Sequence, residues 1–401
     1  MTEVLWTYAR RARLPYVATG MGVVALAMTL TSQDRSYWIG DWRATSVAMS
    51  FPLIAILPLT SAYAAHISSR GRSTGFAHIT RTMPRAGSTV RFAEWAIGAA
   101  SGYFAYIAVA VVAGVLTWRE AASVSPWLSY HLCAVAAIAS AAAIGVWLGQ
   151  NIRPRWSMIS ALGAALAAIF TISPLPDPVN RLLLFHTDIY GPPSSTLNPA
   201  IVRLSVAVAV SLVVLSIAWN SRHSFRYLSL LAVLTSATTL VMTPTPTEVP
   251  RTPEAAECFG TNPQVCLWRE HQKWGHRSEL VADKLAEVFP DVAEATYTES
   301  GLSKPEGVSF ELIAPNKSDA AIAASLLRPS LPSPADMFSC DREVRQEYIV
   351  FKGWLMTRAT GESFGVDGVD ADVMQILDMP ESTQDKWAAQ AYNGAVNCID
   401  R

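Results

Sequence analysis

Residues 47–118 read VAMSFPLIAILPLTSAYAAHISSRGRSTGFAHITRTMPRAGSTVRFAEWAIGAASGYFAYIAVAVVAGVLTW, two apolar runs around a polar segment, 68–94, with five arginines and no lysine. Each run, Val47 to Ile67 and Trp95 to Trp118, is long enough to cross about 30 Å of hydrocarbon as a helix. The segment between them is not apolar enough to do so. The stretch therefore reads as a helical hairpin through a bilayer with a basic turn at one surface.

Working outward, five further runs have the same character: Leu14 to Leu30, Trp127 to Leu148, Trp156 to Ser173, Ala200 to Trp219, and Tyr227 to Thr243. Seven spans make a polytopic α-helical membrane protein. A composition of 51% hydrophobic and 16% charged residues over 401 residues excludes an ordinary soluble enzyme and gives no nucleic-acid partner. Arg10, Arg11 and Arg13 precede the first run, and Ala25-Leu26-Ala27 resembles a signal-peptide cleavage site. The triplet lies inside the run, however, and six spans follow, so the first run is read as an anchor. Trp38, Trp42, Trp95, Trp118, Trp127, Trp147, Trp156 and Trp219 fall at or near span ends, as an interfacial aromatic belt requires.

The charges divide the chain. Residues 1–243 hold 17 Arg, no Lys and 7 acidic residues, whereas residues 244–401 hold 14 basic and 25 acidic ones. With the N-terminus cytoplasmic, twelve arginines fall in inner segments and four (Arg35, Arg43, Arg119, Arg181) in outer loops. Seven spans then place the acidic tail outside, as an extracytoplasmic domain on a bacterial plasma membrane.

Cysteine usage agrees with that compartment. Cys133 is read as a small buried residue of the membrane half, and the tail carries Cys258, Cys266, Cys340 and Cys398. Of three possible pairings the preferred one joins Cys258 to Cys266 around a short Gly/Asn/Pro turn, and Cys340 to Cys398, which ties down the chain end. The opening TPTPTEVPRTPE reads as an extended spacer, 244–256, that holds the domain off the membrane. Beyond it, SELVADKLAEVF (278–289) has helical spacing with Ser278 as its cap and Pro290 as its stop. VSFELIAP alternates like a strand and DKWAAQAYNGAV reads as a helix, so residues 257–401 form a mixed α/β domain.

Within the basic turn, Phe76, Ile79 and Met83 share one helical stripe, with Arg81 and Arg85 on the other side, Thr74 as cap and Pro84 as stop. The segment is either a knob for a soluble partner or a solvated loop that fixes topology. The pattern carried by Gly75, Thr82, Pro84 and Arg85 between the second and third spans resembles the cytoplasmic coupling segment of ABC type-two exporter permeases. MTEVLWTYARRAR resembles that family's in-plane elbow helix, with Leu5, Trp6 and Tyr8 in the interface and the arginines at head groups. The resemblance implies an elbow helix over 1–13 and a six-span ABC exporter permease core over 14–226 with its coupling loop at 68–94. The seventh span, 227–243, is an addition to that core, carrying a tail that resembles domains appended to lantibiotic or peptide exporters.

The family resemblance also implies partners. No G-x-x-x-x-G-K-[ST] occurs in the chain, so ATP and Mg would be bound by a separate cytoplasmic ABC ATPase subunit, with no cofactor or metal in this chain. A second permease chain, in a homodimer or heterodimer, completes the pathway in the lipid bilayer. The expected role is half of an exporter pathway for a peptide, lipid or amphipathic natural product, without enzymatic activity of its own. The rival readings are a membrane-anchored outer enzyme, resting on Glu270, His271 and His276 near Cys266, and a peptide sensor. The Glu-His order and the histidine gap do not match H-E-x-x-H, and an exposed helix start with Trp268 and Trp274 packed inward explains the residues with fewer assumptions. His186, beside Asp188, marks the water boundary of an outer re-entrant segment or belongs to a substrate pathway. Arg203 either snorkels to the outer surface or faces that pathway. Glu94 is expected to be solvated at the inner boundary.

Overall fold

In hydrocarbon a backbone must satisfy its own N–H and C=O groups, which leaves the apolar runs little choice but helix. The computed structural model describes residues 10, 13–31, 38–73, 86–121, 127–175, 179–183, 195–218, 223–244, 246–250, 256–290, 294, 296–302, 307–312, 318–333, 336–362 and 369–399. The runs fold as α1 (Leu14–Thr31), α2 (Trp42–Ala48), α3 (Leu53–Ser73), α4 (Ala86–Glu120), α5 (Leu128–Asn151), α6 (Pro154–Ile172), α7 (Pro199–Ala218) and α8 (His223–Met242). Among the described residues six helices are long and apolar enough to cross a membrane, and α2 with α3, bent by 40°, makes a seventh. The apolar helices are those of a membrane protein.

The bend has a local cause. Pro52 cannot donate a backbone hydrogen bond and disfavours helical geometry at Phe51. The chain passes it through tight three-residue turns, Ser50 N–H to Val47 O, Phe51 to Ala48, Leu53 to Ser50 and Ile54 to Phe51. The second span thus begins earlier than its apolar run and is broken near its start.

Helix α3 is the centre of the bundle, packed against α4, α5 and α6. Its Thr60, Ser61, Ala64 and Ala65 are buried. Glycines approach them from both sides. A methyl group added at Gly145 of α5 would overlap the Ser61 carbonyl, and one at Gly149 would meet Ala65 O at 2.5 Å. On α4, a methyl at Gly98 would lie 2.7 Å from the Ala64 methyl, and Gly102 has equally little room beside Thr60. Small residues four apart, on both neighbours, let backbones close where apolar burial supplies no drive between lipid-bathed helices.

The tail builds a four-stranded sheet in the order β3 (Glu257–Phe259), β4 (Gln264–Leu267), β5 (Thr296–Glu299), β6 (Val308–Phe310). The first pair is antiparallel and the other two are parallel. Helix α9 (Gly275–Val288) makes the crossover between β4 and β5 that a parallel pair needs. Then come α10 (Asp319–Leu327), α11 (Arg342–Thr360), α12 (Val369–Leu377) and α13 (Glu381–Ile399). One core contains Val265, Tyr297, Phe310, Phe351, Trp354 and Ala388. Cys258 bonds Cys266, its directly opposite partner across the β3–β4 hairpin, and Cys340 bonds Cys398, the pairing favoured from spacing. Gly260, at φ 78, supplies the left-handed residue the hairpin turn needs.

Three expectations change. Helix α9 starts at Gly275, so Ser278 lies buried within it rather than capping it. Of the described residues of VSFELIAP, 308–312, Val308–Phe310 pair as a strand. The proline-rich segment does not stand the domain off the bundle. Its residues Glu248–Pro250 form β2, paired antiparallel with β1 (Ser195–Leu197) just ahead of α7.

The glycine contacts set a test. Gly145→Ala should force α3 and α5 apart at a cost of about 2 kcal/mol, seen as a lower unfolding temperature in detergent. Gly163→Ala, where nothing lies within 4 Å, should leave it unchanged. Equal shifts would rule out the close approach as the determinant of helix spacing.

Candidate functional site at the junction of bundle and tail

Among the described residues the tail meets the bundle at the end where α1, α4, α6 and α8 finish and α2, α5 and α7 begin. Arg181 donates to Thr243 O at 3.0 Å and to Thr247 Oγ1 at 2.9 Å. Asn198 takes the Thr247 carbonyl with its backbone N–H at 2.9 Å and caps α7 by accepting from Ala200 N. Lys273 reaches Glu120, the last residue of α4, at 3.2 Å and lies over the Trp274 ring. All the loops that the charge pattern assigns to one side, so far as they are described, gather at this end.

The centre of the junction is a histidine between two carboxylates. Asp41 sits in extended geometry before α2 and accepts from Arg43 N at 2.7 Å and Ala44 N at 3.0 Å through one oxygen. Its other oxygen is 3.5 Å from His271 Nε2. His271 Nδ1 lies 2.7 Å from Glu299 Oε1, and the second Glu299 oxygen accepts from Trp268 N at 2.9 Å. A 3₁₀ turn, Arg269–Trp274, brings His271 to the C-terminal end of the inner strand β5, with its ring edge-on to Trp274. Both His271 and Glu299 are buried, at 2% and 0% exposure.

An imidazole facing a carboxylate at each nitrogen donates twice, and so is the cation. Burial alone would lower the His271 pKa. The Glu299 charge and the hydrogen bonds to Asp41 and Glu299 overcome it and hold the pKa well above the usual 6.5. Burial likewise pushes the Asp41 carboxyl up, but His271, then the Ala44 N–H and Arg43, bring it below 3.8. The stabilisation from His271 is thus complete below pH 6.5 and is lost as pH rises through its raised folded value. That from Asp41 is present above its ordinary value and is lost as pH falls through the lowered one.

Aromatic and hydroxyl groups support this centre from the bundle side. Thr45 donates to Trp38 O at 2.7 Å, which leaves the Thr117 hydroxyl of α4 to donate to Thr45 at 2.6 Å. Arg43 lies over the Trp127 ring, 5.8 Å from its centroid. Trp38, Trp42 and Trp127 are therefore buried at the junction, not lipid-facing members of a belt, while Trp118 and Trp156 are exposed as a belt requires.

The arrangement can hold two bodies together by a charged contact in which His271 and Glu299 are buried and both His271 nitrogens face carboxylates. Removing one member of such a contact costs about 3 kcal/mol. Asp41→Asn should weaken docking while leaving the tail's own Glu299–His271 pair intact, and hydrogen exchange should rise at Arg269–Trp274 and the start of α2. His271→Ala should do the same and also destabilise the tail. In the wild-type protein the protection at these amides, taken relative to their base-catalysed intrinsic exchange, should stay high from pH 5 to 7 and fall in alkaline buffer. A flat profile would separate docking from the histidine charge.

Glu270, His271 and His276 do not converge. Glu270 is buried, His271 is committed to Asp41 and Glu299, and His276 is exposed beside Glu279. Ahead of the helix start at Gly275, Arg269–Trp274 is thus a 3₁₀ turn with Glu270, His271 and Trp274 buried, and Trp268 and Trp274 pack inward as expected. Arg203 stands exposed one turn into α7. Glu94 is buried in α4, near Arg91, whose guanidinium donates to Ile217 O at 2.7 Å. It is not solvated, because the helix begins well before Trp95. Phe76, Ile79, Arg81, Met83, Pro84 and Arg85, with His186 and most of 1–13, lie outside the described residues. Asp41 could have been found as a helix cap ahead of an apolar run. Nothing local marks Glu299 as its partner through His271. Comparison of the chain with protein families, with curated proteins and with solved structures found no match.

Proposed function

We propose that this chain is the membrane-spanning permease subunit of an ABC-type exporter, forming half of a translocation pathway and driven by a separate ATPase. Its cargo in this reading is a peptide, lipid or amphipathic natural product. The arginine-rich end faces the cytoplasm and the disulfide-bonded tail faces outward. One observation carries the reading: α3 and α4 both continue past their apolar runs at the arginine-rich end. Helix α4 has 35 residues, or about 52 Å, against a hydrocarbon thickness of about 30 Å. Its first turns carry Arg91 and Glu94, and Arg91 fixes them to the end of α7. Helices extended in this way on both sides of segment 74–85 support a role for it with a soluble partner. A loop that only fixed topology would need no such extension.

The reading has two tests. Docking Phe76, Ile79 and Met83 into an ATPase groove contributes on the order of 5 kcal/mol before ordering costs. Replacing Phe76 and Met83 by Asp should release the ATPase and abolish its stimulation, with the chain still in the membrane; co-purification at wild-type yield would refute the coupling role. For orientation, an impermeant maleimide should label Ser382→Cys in intact cells and Ser88→Cys only after permeabilisation, both sites being exposed. Reversed labelling would invert the scheme.

A peptide sensor is the second reading, favoured by the firm attachment of the tail to both α2 and α4. It shares the topology and would survive loss of ATPase binding.

A further inference from the structure

The acidic tail holds a lysine that its own carboxylates leave unanswered. Lys352 lies on α11, and its neighbours one helical turn away, Tyr348, Ile349, Leu355 and Met356, carry no acid. Its ammonium sits 5.8 Å from the centroid of the Tyr348 ring. Burial lowers its pKa, the Arg328 charge lowers it further, and no carboxylate raises it. Among the described residues Lys352 makes no hydrogen bond or ion pair. That is a costly state for a half-buried cation beside a second one.

The chain after α10 closes around it. Arg328 follows the last turn of α10, is 66% exposed, and stands 3.8 Å from Glu311, just past β6. From there the chain passes the Tyr348 ring, whose hydroxyl donates to Pro332 O at 2.9 Å. Between Arg328 and Pro332 is Ser330, whose Oγ is buried and makes no hydrogen bond among the described residues. Asp336, on the hydroxyl side of Tyr348, accepts from Ser333 N at 2.9 Å. Residues 313–317 and 334–335, outside the described ones, contain no acid in the sequence.

The charge of the cluster selects its ligand. Lys352 and Arg328 are positive and Glu311 is negative, so a single further negative charge balances them. Arg345, two turns before Lys352, stands about 10 Å off along the helix axis and is screened at that distance. A monoanion is therefore matched, and a phosphate dianion overcharges the site. Ile349, one turn before Lys352 and 39% exposed, adds an apolar surface beside the cations.

We infer that this face of the tail, between α11 and the chain after α10, binds an organic carboxylate, with its oxygens on Lys352 and Arg328 and its apolar stem against Ile349. Charge-assisted hydrogen bonds to both cations supply the counter-charge that the fold omits, and the buried Ser330 hydroxyl is a further donor at the base. The site uses residues of the tail alone and does not depend on the transport reading.

The test uses the full chain, purified in neutral detergent, with the rate of acetylation of each lysine by an N-hydroxysuccinimide ester followed by mass spectrometry. Exposed Lys386 is the internal control. N-acetyl-leucine should slow acetylation of Lys352 about five-fold, because its carboxylate covers the amine and raises the lysine pKa, and should leave Lys386 unchanged. N-acetyl-leucinamide and sodium phosphate at the same concentration should not protect Lys352. Arg328→Gln, at an exposed position, should fold and lose the protection. Lys352→Met, which keeps the apolar stem, should abolish the heat of N-acetyl-leucine binding in calorimetry. Unchanged acetylation of Lys352 would overturn the inference, as would full protection in Arg328→Gln or undiminished heat in Lys352→Met. Equal protection by the amide would reduce the site to an apolar contact, and equal protection by phosphate to an undiscriminating anion site, and either result refutes it.

Discussion

The backbone of α3 touches the backbones of its neighbours because Gly145 and Gly149 on α5, and Gly98 and Gly102 on α4, have no side chain to keep it away. Everything else in the bundle is arranged around that approach. Lipid tails are as apolar as leucine, so helices in a bilayer gain little from burying hydrocarbon and must associate by fit. Alanine, serine and threonine on α3 serve this need better than large residues would. Thr60 and Ser61 lie in the contact with hydroxyls that make no hydrogen bond among the described residues. Small size, not polarity, is what those positions contribute to packing.

A bundle fixed this way has two chemically different ends. One carries Arg13 just ahead of α1, the arginines of α3, α4 and α6, and a cleft between α1, α3 and α6. The other carries the tail, joined by β1–β2 pairing, by Arg181 and by the Asp41–His271–Glu299 contact. The acidic tail thus presents one buried cation to a carboxylate of the basic half. A buried ion pair is weak as a source of stability but exacting in geometry, since each partner is costly when left alone. It fixes where the tail sits more than how strongly it folds.

The spans were legible from sequence because the bilayer imposes a length and a polarity that composition alone reports. The disulfides were legible because a two-strand hairpin brings Cys258 and Cys266 opposite each other. Burial at the ends was not. Trp38, Trp42 and Trp127 look like belt residues whether lipid or protein covers them, and the bundle neighbours that bury them, such as Leu197 and Val202 around Trp42 and Trp127, decide. Glu94 looked solvated because a charge beside Arg91 reads as loop, whereas the continuing helix turns it inward. The proline-rich segment reads as a spacer until its partner strand at 195–197 is seen. In each case the deciding neighbour is remote in sequence, and local pattern carries no information about it.

The junction also bears unequally on the two helices that reach the arginine-rich end. Asp41 holds the tail to α2, but Pro52 breaks that span before α3 begins, so α2 and α3 are not one rigid rod. Glu120, by contrast, is the last residue of an unbroken 35-residue helix whose first turn follows segment 74–85. Thr117, one turn before Glu120, is hydrogen-bonded to Thr45 of α2. A helix without a proline is stiff along its axis, whereas a proline break is where bending concentrates. Of the two routes between the tail and the arginine-rich end, α4 is the one that can carry an axial displacement, and α2–α3 is the one that can absorb it.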